Sequence, residues 1–67
     1  MSVLKVIEIM ASSEKGWEDA TLIAVQNASK TVKGIKSAYV QDMSAVVKDN
    51  KITEFRVNVK ITFEVLN

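Results

Sequence analysis

The chain reads as an α+β fold in the order strand–helix–strand–strand, with three antiparallel strands partly wrapped round one helix. Three features predict it. Residues 54–65, EFRVNVKITFEV, alternate strictly: Phe55, Val57, Val59, Ile61, Phe63 and Val65 on one face, Glu54, Arg56, Asn58, Lys60, Thr62 and Glu64 on the other. Such period-2 patterning marks a strand with one face on a core. Ala20, Ala24 and Ala28 recur at i+4 inside a helical stretch. Finally, Lys48-Asp49-Asn50-Lys51 supplies a polar turn between two apolar runs, with Asp and Asn tolerating the left-handed conformations of hairpin turns. The whole chain, 1–67, is expected to form a single domain.

The elements follow in order. Residues 3–11 (VLKVIEIMA) are rich in Val and Ile with only Lys5 and Glu8 charged, which predicts a strand, β1, apolar on both sides for much of its length. Ser12 and Ser13 break the run, and either hydroxyl suits an N-cap. Glu14, Glu18 and Asp19 suit the positive end of a helix dipole. The helix α1 is predicted over residues 17–32. Its alanine stripe lets the helix axis lie close to a sheet, while Leu22, Ile23, Val25 and Val32 widen the apolar surface beyond one narrow face. Part of that width is expected to lie against another subunit. Gly34 stands where a left-handed C-cap is expected.

Residues 35–47 (IKSAYVQDMSAVV) predict β2, with poor alternation and a β-bulge near Asp42 and Ser44. Residues 54–65 are β3. The strand–helix–strand crossover makes β1 and β2 parallel, and the hairpin sets β3 against β2. Pairing everything antiparallel places β3 in the centre, in the order β1-β3-β2. Twelve residues of β3 span roughly 40 Å at about 3.3 Å each. A compact globule of this length has a radius of gyration of about 11 Å, hence a diameter near about 28 Å. So long a strand either curls tightly or reaches into neighbouring subunits.

Size and composition bound the function. A chain this short leaves much of its surface unburied and is marginally stable alone. Disulfides, metals or oligomerisation are the usual aids. Cys and His are absent, which removes disulfides and the commonest zinc ligand, so oligomerisation is expected. The lack of Cys also suits a reducing, cytoplasmic setting. The net charge of +1 and the interleaving of Lys and Arg with acids give no basic stripe for a nucleic acid. No apolar run approaches the about 18 residues of a membrane span, and MSVLKVIEIM lacks the pattern of a signal peptide.

Catalysis is not expected. Common acid–base and thiol machinery is missing without His and Cys. Ser12, Ser13, Ser29 and Ser44 have no Ser-x-x-Lys context, and Gly16 and Gly34, the only glycines, form no phosphate loop.

Taken together, VLKVIEIMASS, the alanine-striped helix, IKSAYV at the start of β2 and the terminal VNVKITFEV resemble the dodecin family over nearly the whole chain. The resemblance implies the order β1-α-β2-β3 and a homododecameric hollow shell, which would use both the long strand and the wide apolar helix. It further implies a non-enzymatic protein that stores a flavin, FMN or riboflavin, bound in pairs at subunit contacts. In the family a Trp at the start of β2, in a Trp-x-x-Val setting, stacks on the flavin, and a Gln on β3 bonds the ring edge. Ser37 and Arg56 occupy those positions here. Losing an aromatic platform forfeits about 1–3 kcal/mol of stacking, and Arg56 cannot accept a hydrogen bond, although it can stack on a planar ring or grip a phosphate. Tyr39, two residues beyond Ser37 and on the same side of β2, is a candidate replacement platform. A branch of the family that lacks this Trp carries a Trp near the helix start, as Trp17 here, and an Arg on β3, as Arg56 here. One of its members is a calcium dodecin. Calcium is therefore the alternative cargo, with Asp42, Asp49 and Glu54 as candidate oxygen donors to be assembled across subunits; a shell that binds no flavin at all belongs to the same alternative.

The surrounding residues have plainer readings. Trp17 is expected to pack at the helix start, and Tyr39 to pack across strands if it does not stack on a ligand. Arg56 is either a ligand contact or half of an intersubunit ion pair with Glu54, Glu64 or Asp42. Lys60 and Glu64 are expected in ion pairs or lining a cavity, and Asp42 and Asp49 otherwise serve as surface and turn residues.

Overall fold

The computed structural model describes residues 3–65. The elements are β1 (Leu4–Ser13), α1 (Trp17–Ala28), β2 (Ile35–Lys48) and β3 (Lys51–Glu64). The sheet order is β1-β3-β2 and both pairings are antiparallel. The expected topology is thus the observed one, with the most regular strand in the centre. The radius of gyration is 13.7 Å and the extents are 51 × 19 × 13 Å. A compact chain of this length would have a radius of gyration of about 11 Å, so the long hairpin does not curl back on itself.

The core is small and sits where the patterning put it. Ala20, Ala24 and Ala28 of α1 are buried against Val57, Val59 and Ile61 of β3. Small side chains at every fourth helical position leave no ridge between helix and sheet, so the branched residues of β3 fill the gap directly. Ile7, Ile9 and Ala11 of β1 and Val40 of β2 pack round this nucleus. The helix lies mainly over β1 and β3 and barely touches β2.

The hairpin turn is made by Asp49 and Asn50, with φ of 51° and 63°. Two left-handed residues in a two-residue loop are the type I′ arrangement, whose twist matches that of the flanking strands. β3 begins at Lys51, earlier than its alternation suggested. The register shifts between the Val46–Glu54 and Val47–Ile52 pairs, leaving Thr53 as an extra residue that breaks the period-2 signal. A second shift at Gln41, between Val40 and Asp42, lies just upstream of the expected bulge, and a third sits at Lys36.

Three local expectations are corrected. Neither Ser12 nor Ser13 caps the helix: both belong to β1, and Gly16 is the N-cap residue, with no side-chain bond. Ser13 serves instead as a turn anchor, donating to Asp19 Oδ2 at 2.6 Å and accepting from the Lys15 N–H at 2.9 Å. The helix ends at Ala28, not near residue 32. Beyond it the N–H groups of Lys30 and Thr31 bond the carbonyls of Asn27 and Ala28 at 3.2 and 3.1 Å, the i–3 pattern that tightens and ends a helix, and the Val32 N–H shares the Ala28 carbonyl at 2.9 Å. The β-branched Thr31 and Val32 add little propensity to prolong it. Gly34, with φ of 78°, therefore does not cap α1. It turns the chain into β2, where its carbonyl accepts from the Glu64 N–H at 2.9 Å.

Two stability effects are expected in urea denaturation. Ala24→Leu forces a larger side chain into the helix–sheet contact and should cost about 1–3 kcal/mol. Asn50→Ala places an intolerant residue at positive φ and should cost about 1–2 kcal/mol, whereas Asn50→Gly should not destabilise.

Candidate functional site

The sheet face turned away from the helix carries the candidate residues. Opposed residues of an antiparallel pair share a face, and the register builds a set of rungs across it. These are Ser12–Arg56–Ser44, Met10–Asn58–Asp42, Glu8–Lys60–Tyr39 and Val6–Thr62–Ser37. The polar residues come from the outward half of the β3 alternation, so the pattern that buries Val57, Val59 and Ile61 also aligns Arg56, Asn58, Lys60 and Thr62.

Ser37, Tyr39 and Arg56 all lie on this face but are not neighbours within one chain. Along β3 the rung of Arg56 is six residues from that of Ser37 and four from that of Tyr39, or about 20 and about 13 Å at about 3.3 Å per residue. Tyr39 is 65% exposed and so available to stack on a flat ligand. Arg56 lies between two serines and borders a shallow cavity of about 140 Å³ with Met10, Ala11 and Ser12.

The carboxylates are also dispersed. Asp42 is opposite Asn58 and Glu54 is opposite Val46, with about 13 Å of β3 between those rungs. Asp49 sits in the hairpin turn. Among the described residues no three Asp or Glu side chains come together in a group that would hold a metal.

One residue not singled out from the sequence stands out in the structure. The Asn58 Oδ1 atom is buried and has no hydrogen-bond partner. A buried acceptor left unsatisfied costs about 1–3 kcal/mol. It lies on the Met10–Asn58–Asp42 rung, where Asp42 is the residue opposite Asn58 on β2. Asn58 is an ordinary outward polar position in the alternation, and only the burial of this one atom distinguishes it.

Trp17 is a packing residue, as expected. Its ring meets Phe55 edge-on at 4.8 Å between centroids and 77° between planes. Its Nε1–H donates to the Ser44 carbonyl at 3.0 Å. This contact ties the start of α1 to the backbone of β2.

A dodecin family model matches residues 3–66. A protein of Mycobacterium tuberculosis named calcium dodecin is 44% identical over 66 residues, which cover 96% of this chain and 90% of that protein. Among solved structures, the calcium dodecin of Mycobacterium tuberculosis, described as having a novel calcium-binding site, superposes with a TM-score of 0.83 at 35% identity, covering 97% of this chain and 93% of that one. The dodecin of Streptomyces coelicolor superposes with a TM-score of 0.93 at 23% identity, covering 98% of this chain and 94% of its own.

Trp17→Phe keeps the edge-on packing and removes the donor to Ser44. It should lower stability by about 0.5–1.5 kcal/mol, measurable by denaturant titration followed by circular dichroism.

Proposed function

The chain belongs to the dodecin family, and on that premise we propose that it is a non-enzymatic, homo-oligomeric binding protein, dodecameric as the resemblance implies, whose cargo is calcium. The observation that carries the reading is the identity of 44% over nearly the whole chain with a relative named for calcium. The Asn58–Asp42 rung supports it physically. Calcium takes about six to eight oxygen ligands, carboxylate and amide alike, and Asn58 has an unsatisfied amide oxygen while its cross-strand partner is an aspartate. Glu54 and Asp49 lie too far along the hairpin to join the same ion from the same chain, so they would serve from other copies, together with water.

Arg56 limits the affinity. It is two residues from Asn58 on the same strand face, and a like charge at about 7 Å opposes a divalent cation. Lys60, in contrast, faces Glu8 across the strands. A dissociation constant on the order of 10⁻⁴–10⁻³ M, the weak end of protein calcium sites, is expected.

A second reading, storage of FMN or riboflavin, rests on Tyr39, an exposed aromatic two positions from Ser37 on the outer face. Ser37 offers no ring of its own and Arg56 replaces an acceptor, so weak flavin binding is expected.

Calorimetric titration of the oligomer with calcium separates the readings. Binding heat at millimolar calcium, lost in Asp42→Asn, is the expected result; no heat in the unsubstituted protein removes calcium as the cargo. For flavin, Ser37→Trp should raise affinity by about ten- to a hundredfold, since one stacking platform is worth about 1–3 kcal/mol. Quenching of FMN fluorescence reads this directly.

A further inference from the structure

The strands carry two methionines, one on each side of the sheet. Met10 is 72% exposed and Met43 is 63% exposed. Met43 is opposite the buried Val57 and Met10 is opposite Asn58. Opposed residues share a face, so Met43 lies on the helix-facing side and Met10 on the outer side. The calcium reading uses Asn58 and Asp42 of the outer rung and leaves its third member, Met10, without a role. Asn58 stands in the middle strand with Met10 and Asp42 on either side. Neighbouring strands are about 4.8 Å apart, which places the three residues over one patch of the outer face. Met10 also borders the shallow cavity of about 140 Å³ that Arg56 lines.

A thioether is a soft ligand, whereas calcium takes hard oxygens, so Met10 in its reduced form adds nothing to the ion. Its sulfoxide would. We propose that Met10 is a reversible oxidation site that tunes the calcium site, its sulfoxide oxygen joining Asn58 and Asp42 as a third donor on the same rung. The oxidant is hydrogen peroxide. The sulfur lone pair attacks one peroxide oxygen, the O–O bond breaks as the S–O bond forms, and the leaving hydroxide takes the remaining proton and departs as water. Sulfur is oxidised and the peroxide is reduced; a thiol-dependent sulfoxide reductase reverses the change. Arg56, which borders the same cavity and carries five N–H donors, competes for the new oxygen and holds the gain in affinity to severalfold. Met43, across the sheet beside Val57, oxidises without effect on the ion. The proposal rests on the calcium reading above and adds the regulation of that site.

The test is calorimetric titration with calcium chloride before and after mild hydrogen peroxide, with peptide mass mapping to locate the added oxygen and circular dichroism to confirm the fold. The unsubstituted protein is compared with Met10→Leu, Met43→Leu and Met10→Gln. Peroxide should raise calcium affinity severalfold in the unsubstituted protein and in Met43→Leu, and leave Met10→Leu unchanged. Met10→Gln, which brings an amide oxygen to the same position, should show the raised affinity without any oxidant, an effect that general oxidative damage would not produce. Calcium binding that is unchanged or weakened once Met10 is oxidised overturns the proposal and leaves the calcium reading standing. So does a Met10 that stays unmodified while peroxide converts free N-acetylmethionine. The absence of calcium heat both before and after oxidation overturns both.

Discussion

Everything in this molecule hangs on one close contact, the alanine stripe of α1 against the branched face of β3. Ala20, Ala24 and Ala28 lie flat on Val57, Val59 and Ile61, and among the described residues these six make up the buried apolar core. The contact requires β3 to be central, because only the middle strand can present a full face beneath a helix that also touches β1. It fixes the register of β1, whose Ile7, Ile9 and Ala11 must join the same face. It also decides which half of the β3 alternation faces outward, and so aligns Arg56, Asn58 and Lys60 as a polar row.

A core of this size is slender for an independent domain. Three of its six members are alanines, and burying a methyl contributes little beside a leucine or isoleucine, whose full burial is worth about 1.5–3 kcal/mol. Eleven large apolar side chains among the described residues remain exposed on the single chain. They fall at and before the start of β1 and along its outer face, on the free part of α1, along β2 and beside the hairpin turn, where the single chain has nothing to set against them. In the homo-oligomer proposed above, folding and association are bound together, and apparent stability rises with protein concentration by mass action.

The sequence was most legible where a period governs it. The alternation of β3, the i+4 alanines, the Asp49–Asn50 turn and the strand order all emerge from spacing, because spacing is what a pleated strand and a helix impose. It was least legible where the backbone departs from a period. The extra residue at Thr53 interrupted the pattern and hid the start of β3. Val32, taken as part of the apolar surface of α1, suggested more helix than the β-branched Thr31 and Val32 sustain. Ser13 looked like a cap, yet its hydroxyl serves Asp19 and the Lys15 N–H from the end of a strand. At the site, alternation put Tyr39 on the same side of β2 as Ser37, but how far Arg56 lies from them depends on register. Asn58 was missed because nothing in its spacing reveals that one oxygen is both buried and unpaired.

The bond from the Trp17 indole to the Ser44 carbonyl matters most where β1 gives out. β1 ends at the Ser13–Phe55 pair, and beyond it β2 and β3 run on as two strands to their turn, a hairpin that is marginal on its own. The same indole meets Phe55 of β3 edge-on, so one side chain of α1 holds both strands at that boundary. Fraying that starts at the turn therefore meets a clasp at Trp17 before it reaches the core.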